Sequence, residues 1–141
     1  MEVVKMNHTE YYVSTDKSKL NIDRIKLLLK QSYWANERTE ERILKSIENS
    51  ICYGIYQNNE LVGFGRVVTD YATVYWVCDI IIDVEHRCNG LGKKLMETIM
   101  SSKEFEGLLG ILATQDAHGL YEQYGFTKEP YKFMMKKRTQ N

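Results

Sequence analysis

Residues 73–84, TVYWVCDIIIDV, form a long, almost wholly apolar run that stops at HRCNGLG and gives way to LGKKLMETIM. That much apolarity fits a central strand covered on both faces. Counting by twos puts Tyr75, Val77, Asp79, Ile81 and Asp83 on one face. Val74, Trp76, Cys78, Ile80, Ile82 and Val84 then share the other. Beyond the glycines, Leu91, Leu95 and Ile99, with Met96 and Met100 beside them, recur at helical spacing. A second apolar run, LLGILA at 108–113, reads as another buried strand. The chain is thus committed to a strand–helix–strand unit, and the rest must pack around it.

The flanking segments supply the other elements. Residues 8–14 read as a short strand carrying Tyr11 and Val13. Asn21 or Asp23 can cap a helix whose apolar face holds Ile22, Ile25, Leu28 and Leu29. TEERILKSIENS reads as a second helix, capped by Thr39, with Ile43, Leu44 and Ile47 facing inward. ICYGIY and ELVGFGRVV flank the turn-prone QNN and predict an antiparallel hairpin. AHGLYEQYGF predicts a short helix capped by Asp116 and ending at Gly125, and YKFMMKK a final strand. The expected class is α+β, one domain over residues 1–141, with a mixed, mostly antiparallel central sheet flanked by helices.

Composition narrows the function. Lys and Arg total 19, as do Asp and Glu, so no net field favours nucleic acid or an anionic membrane surface. No apolar run is long enough to span a bilayer, and MEVVKMNHTE lacks the layout of a signal peptide. We therefore expect a cytoplasmic protein with neither nucleic-acid nor membrane partners. Cys52, Cys78 and Cys88 are odd in number and form no CxxC, so neither a disulfide framework nor a metal site is expected.

HRCNGLG between a strand and a helix places backbone N–H groups at a helix N-terminus, where the dipole favours an anion. Gly90 and Gly92 would let an oxyanion approach the backbone, and Arg87, Lys93 and Lys94 add local positive charge. Equally, the glycines could only permit a tight turn. Two nucleotide motifs fail here. A P-loop would need Ser or Thr at Lys94 and Gly at Arg87, and a dinucleotide fingerprint would need Gly at Leu95.

What fits is R-x-x-G-x-G, Arg87–Gly92, after a long apolar strand, with A-x-x-L-Y-x-x-x-G-F about 30 residues on. In the second segment Ala117, Leu120, Tyr121, Gly125 and Phe126 match in register. This pair resembles the GNAT superfamily of N-acetyltransferases, and DAHGLYEQYGF is similar to a small bacterial-type subgroup of it. The element order resembles the family over nearly the whole chain. There are departures: Val84 stands where Pro is frequent, Cys88 where Gly is frequent, and Thr114 where an Asn that contacts pantetheine is frequent.

The resemblance implies the acyl-CoA N-acyltransferase fold and an acyltransferase that moves groups other than aminoacyl groups. Acetyl-CoA would be co-substrate, without a metal. Backbone amides of Arg87, Cys88, Asn89, Gly90, Leu91, Gly92 and Lys93 would grip its diphosphate. Ile82 and Val84 would offer a strand edge to pantetheine, joined by Thr114. An N–H in the stretch Ile80–Ile82, Ile81 included, would polarise the thioester carbonyl. Tyr121 is implied as the acid that protonates the leaving thiolate, with Tyr124 in the neighbouring slot. A phenol near pKa ~10 stays protonated at neutral pH. Asp79, a charge in an apolar strand, is the candidate base through water, or else a structural ion pair. His118, an imidazole beside the tyrosine helix, is the other candidate, or simply polar surface; His86 reads as a solvated turn residue.

By the same resemblance, the acceptor pocket draws on SYWANER and TDYATVYW: Tyr33, Trp34 and Arg38, then Asp70, Tyr71 and Trp76. The aromatics suit an amine-bearing chain and Asp70 an ammonium, although Trp34 could equally pack under the helices. The expected reaction is direct attack of a primary amine in a ternary complex, since Cys78 and Cys88 lack a His partner. The acceptor is expected to be a small molecule, with a protein N-terminus or lysine second. The rival is an acyl-CoA-binding sensor without turnover. A homodimer is compatible with either.

Overall fold

The computed structural model describes residues 2–139. In chain order it contains β1 (Glu2–Met6), β2 (Thr9–Ser14), α1 (Ile22–Lys30), α2 (Glu40–Glu48), β3 (Ile51–Gln57) and β4 (Glu60–Thr69). There follow β5 (Val74–Ile82), α3 (Leu91–Met100), β6 (Leu109–Leu112) and α4 (His118–Glu122). The sheet order is β1-β2-β3-β4-β5-β6, and every neighbouring pair is antiparallel except β5–β6. The α+β class with a mixed sheet is the observed one.

Two tight hairpins set the register. Asn58–Asn59 joins β3 to β4 and Asn7–His8 joins β1 to β2, each with positive φ at both residues, the geometry that matches strand twist. β1 is an additional strand, ahead of the one expected at residues 8–14. Asn21 caps α1 by accepting from the N–H groups of Asp23 and Arg24 at 3.0 and 3.2 Å, and Thr39 caps α2 through the N–H of Arg42.

The core has one part on each face of the sheet. Leu91, Leu95, Met96 and Ile99 of α3 bury against Tyr53, Ile55, Val67 and Val77. On the opposite face, Ile25, Leu28 and Leu29 of α1 and Ile43 of α2 pack on Leu61, Phe64, Tyr56 and Ile81. Leu44 corrects the inward reading of α2: it is 49% exposed, because the helix docks along only one edge. Within this second part the Tyr56 hydroxyl is buried without a hydrogen-bond partner among the described residues, and burial pushes its pKa up to about 12. Tyr56→Phe is therefore expected to raise unfolding stability by about 1 kcal/mol in a denaturant titration. A loss of stability would show that the hydroxyl has a partner after all.

Tyr75 and Val77 belong to the α3 side of the core, whereas Ile81 lies on the α1 side. Strict alternation, which put all three on one face, is overturned by a bulge. Phe64 pairs with Ile81 and Arg66 with Cys78, so Asp79 and Ile80 together oppose Gly65 alone. Asp79 takes the left-handed conformation, φ 52°. Downstream of it each side chain points to the face opposite the one that alternation predicts.

Three further expectations are corrected at the far edge. β6 is not buried: Leu109 is 63% exposed, because no strand lies beyond it. Residues 131–137, expected as a final strand, form none, and Met134 and Met135 are exposed. Asp116 does not cap α4, which has no side-chain cap; ahead of the helix Thr114 Oγ1 accepts the N–H of Ala117 at 3.0 Å. The helix does close near Gly125 (φ 88°), where Phe126 N–H bonds back to the Tyr121 carbonyl.

Candidate active site

β5 is longer than its parallel partner. Pairing with β6 covers Val74 to Val77 and ends at Leu112, while β5 continues to Ile82 with only β4 beside it. The two strands part there and leave a fork. Ile81 pairs with Phe64, and the N–H of Asp83 bonds the Val62 carbonyl, so both turn towards β4. Alternation then turns the backbone groups of Ile80 and Ile82 into the fork. Ile81 is thereby corrected as a groove residue, since its backbone faces β4 and its side chain is core. Ile80 takes its place. Val84 is corrected too, because Gln31 Oε1 accepts its N–H at 2.9 Å.

The fork opens onto the glycine turn. Gly90 adopts φ 77°, which only glycine holds without penalty, and α3 begins directly after it. No side chain caps this helix, so the first-turn N–H groups of Leu91, Gly92 and Lys93 lack intrahelical acceptors and face outward with the dipole behind them. A Cβ at Gly92 would meet nothing nearer than Ile82 Cγ1 at 4.0 Å, so space lies between the helix start and the end of β5. Cys88, at φ 66°, and exposed Arg87 complete the turn, and Arg87 Nε donates to the Ile82 carbonyl at 2.9 Å.

Side chains from the N-terminal hairpin brace the turn. Asn7 donates to Asn89 Oδ1 at 2.7 Å, and Asn89 donates to the His86 carbonyl. His86 Nδ1 lies 3.2 Å from the Tyr11 hydroxyl, so it is a bracing residue rather than a solvated one. Lys94 is removed from the local positive charge by ion pairs with Glu2 (2.9 Å) and Glu97 (3.9 Å).

Tyr121 stands beside the fork on α4. Its hydroxyl has no hydrogen bond among the described residues, and burial, with smaller contributions from Tyr33 and Asp116, pushes its pKa up to about 12. Tyr124 is otherwise engaged, donating to the Lys93 carbonyl at 3.0 Å. Tyr33 reaches over from the loop after α1: its hydroxyl accepts the N–H of Gln115 at 3.0 Å, and its ring meets Trp34 edge-on. Trp34 Nε1 in turn donates to Asp79 Oδ1 at 3.0 Å. A chain of neighbours thus leads from Tyr121 to the bulge.

Asp79 is the centre of an ion cluster. Its side chain is 3% exposed; Arg38 Nη1 and Arg66 Nε lie 2.7 and 2.8 Å from Oδ2, and Arg38 Nη2 lies 3.3 Å from Oδ1. Burial alone would raise its pKa, but the hydrogen bonds and charges of the two arginines hold it below the usual carboxylate range. Both oxygens are occupied and the group resists protonation, so the base role is corrected to the structural ion pair. Asp83 is also engaged, by Arg24 at 3.0 Å.

The far end of the β4–β5 hairpin stays outside the site. Asp70 organises its own turn, accepting from the Thr73 hydroxyl and from the N–H groups of Ala72, Thr73 and Val74, which hold its pKa well below normal. Both of its oxygens accept from that turn, and Tyr71 is exposed in it. Trp76 lies exposed opposite Val68, before the fork opens. These three acceptor-pocket expectations are corrected. Thr114, His118 and Tyr121 share a cavity of about 670 Å³ that runs along the outer flank of β6 towards Phe126 and Phe133, where a further strand would have paired.

Sequence reading placed Ile80 in the right stretch but missed Gln31 and Arg66. Arg66 had a signal. Like Asp79, it is a lone charge in an apolar strand, and the two strands are neighbours.

The profile of the acetyltransferase (GNAT) domain family matches residues 48–128, from the end of α2 through α4. The chain belongs to the GNAT acetyltransferase family. A GNAT-family protein of Xanthomonas campestris, known from a crystal structure, is 37% identical and superposes with a TM-score of 0.86 over 91% of this chain and 93% of its own. An uncharacterized N-acetyltransferase of Pyropia yezoensis is 24% identical over 132 residues, 89% of this chain and 75% of that one. A Gibberella zeae relative is 26% identical over 110 residues, 64% of this chain and 62% of that protein, less than two thirds of its length.

Proposed function

We propose that the protein is an acetyl-CoA-dependent N-acetyltransferase in which a small primary amine attacks directly within a ternary complex. The observation that carries this is the fork between β5 and β6, which ends at the uncapped N-terminus of α3 with the unbonded Tyr121 hydroxyl at its side. The fit to acetyl-CoA rests on the space at Gly92, where a side chain would project between α3 and Ile82.

Acetyl-CoA, when bound, supplies an acetyl group activated as a thioester. The amides of Leu91, Gly92 and Lys93 hold the diphosphate, with Arg87, Cys88, Asn89 and Gly90 shaping the turn. Ile80 and Ile82 present backbone groups to the pantetheine arm and the thioester carbonyl, and Thr114 can donate its hydroxyl proton at the mouth of the fork. Tyr121 gives its phenolic proton to the departing sulfur. His118, three residues earlier on the same helix face, is assigned to the proton of the amine. Burial pushes the Cys78 thiol up to about 11, which keeps it protonated and supports direct attack over a cysteine-linked step.

Release of free thiol from acetyl-CoA across an amine panel, peptides with free N-termini included, tests the reading. A thermal shift with coenzyme A but no turnover would favour the sensor. Neither binding nor turnover would remove both. Gly92→Gln is expected to leave the melting temperature nearly unchanged, because the position opens onto space, and to weaken coenzyme A binding at least tenfold by calorimetry. Undiminished binding would displace the diphosphate from this turn.

A further inference from the structure

On the α1–α2 side of the bulge lies a second cavity, of about 350 Å³. Arg38, Arg42, Lys45, Arg66 and Arg138 line it, and no carboxylate does. In a chain whose charges sum to zero, five cations around so small a volume are a strong local concentration. Asp79 answers only Arg38 and Arg66. Among the described residues Arg42, Lys45 and Arg138 have no acidic partner within ion-pair distance.

The arrangement is built by separate elements. Arg42 and Lys45, with Ser46 and Asn49, fall at helical spacing on one face of α2. Arg66 comes from β4, Arg38 from the loop before α2, and Arg138 from the C-terminal segment. Ser46 and Asn49 direct their donors to the backbone of α2, to Ile43 and Lys45, so the remaining recognition chemistry is cationic. Guanidinium and ammonium groups converging without counterions favour an oxyanion, which arginine holds through paired N–H donors. The volume suits one small acidic group rather than a polymer.

Position ties this cavity to the reaction. Trp34, Arg38 and Arg66 line it and also contact Asp79, the residue whose bulge accompanies the fork. An anion seated there would stand beside the part of β5 at which the amine must arrive. We propose that the acceptor is a small amine bearing an anionic oxyacid group, a carboxylate or a phosphate, which Arg42, Lys45 and Arg138 bind. This rests on the acetyltransferase reading, and the test separates the two.

Calorimetry with inorganic phosphate, without acetyl-CoA, reads the cavity through the part of the binding that the α2 variants remove, because the anion-binding turn before α3 is the same in all of them. The full chain is expected to bind phosphate, and Arg42→Gln and Lys45→Gln, both at exposed helix positions, to weaken that binding about tenfold or more, the factor that loss of one charge-assisted contact gives. Lys5→Gln, on β1, is the charge control and should change nothing. Thiol release with O-phosphoethanolamine, β-alanine and ethanolamine then reads the acceptor. A KM at least tenfold lower for one of the two anionic amines than for ethanolamine is expected, and the lower of the two names the group. Either α2 variant should raise it. No phosphate binding, or binding equal in the variants, overturns the anion site. Phosphate binding without preference among amines that turn over overturns its role in acceptor choice. If no amine turns over but phosphate binding is lost in the variants, the acetyltransferase reading fails, and with it the acceptor assignment, while the anion site stands.

Discussion

Replacing Asp79 with asparagine is expected to lower unfolding stability by about 3 kcal/mol or more, the loss typical when one partner of a buried ion pair is removed. For a chain of this size that is roughly 10 °C in melting temperature. Asparagine tolerates the left-handed backbone at this position, so the substitution removes the charge while leaving the bulge affordable. Arg38 and Arg66 are then left largely buried without their counterion. The pH dependence has a definite sign. The folded-state pKa of Asp79 lies below its ordinary value, so its contribution is complete above about pH 4 and is lost as the pH falls through the folded value. The gap between the parent protein and Asp79→Asn should therefore be widest at neutral pH and shrink in acid. Melts within a degree of each other at pH 7 would show that the cluster does not hold the fold.

Tyr121→Phe should act on turnover and leave structure alone. The hydroxyl has no hydrogen bond to lose and the ring keeps its edge-on contact with Phe126, so stability and coenzyme A binding should match the parent protein. Loss of a positioned general acid typically costs about 10²-fold or more, and kcat should fall accordingly. Because the phenol is pushed up to about 12, the parent rate should not decline near pH 10, where a free tyrosine ionises. Parent-like turnover by Tyr121→Phe would remove the assignment.

The helices and the glycine turn were legible because their signals are local. Asn21 and Thr39 are side-chain caps, α3 has a clean apolar stripe, and Gly90 marks a positive φ. The bulge depends on how two strands meet. Its one sequence trace is Gly65, a glycine inside an apolar strand, where a Cβ would lie 2.7 Å from Ile80 Cδ1. Without the bulge, alternation misassigned Ile81 and made Asp79 look available for chemistry. The tail misled for a related reason. Tyr131, Phe133 and Met135 alternate like a strand, but a strand exists only through a partner, and residues 133–138 do not pair with β6. Asp70 suited an ammonium by charge, yet its nearest donors were the N–H groups of its own turn.

The extra residue in β5 also acts as a phase shift in the pattern of the strand. Before Asp79 and after it, inward and outward positions obey the same rule half a period apart, so no single hydrophobic template describes the whole segment. A homologue of the same length that paired without the bulge could keep the same apolar composition and still exchange the faces of everything downstream. In such a chain Ile81 would face α3 and Ile82 would face α1. The amides that now open towards the fork would be returned to β4. Register at this one position, more than the identity of any residue in the strand, separates a sheet that merely packs from one that leaves room for a ligand.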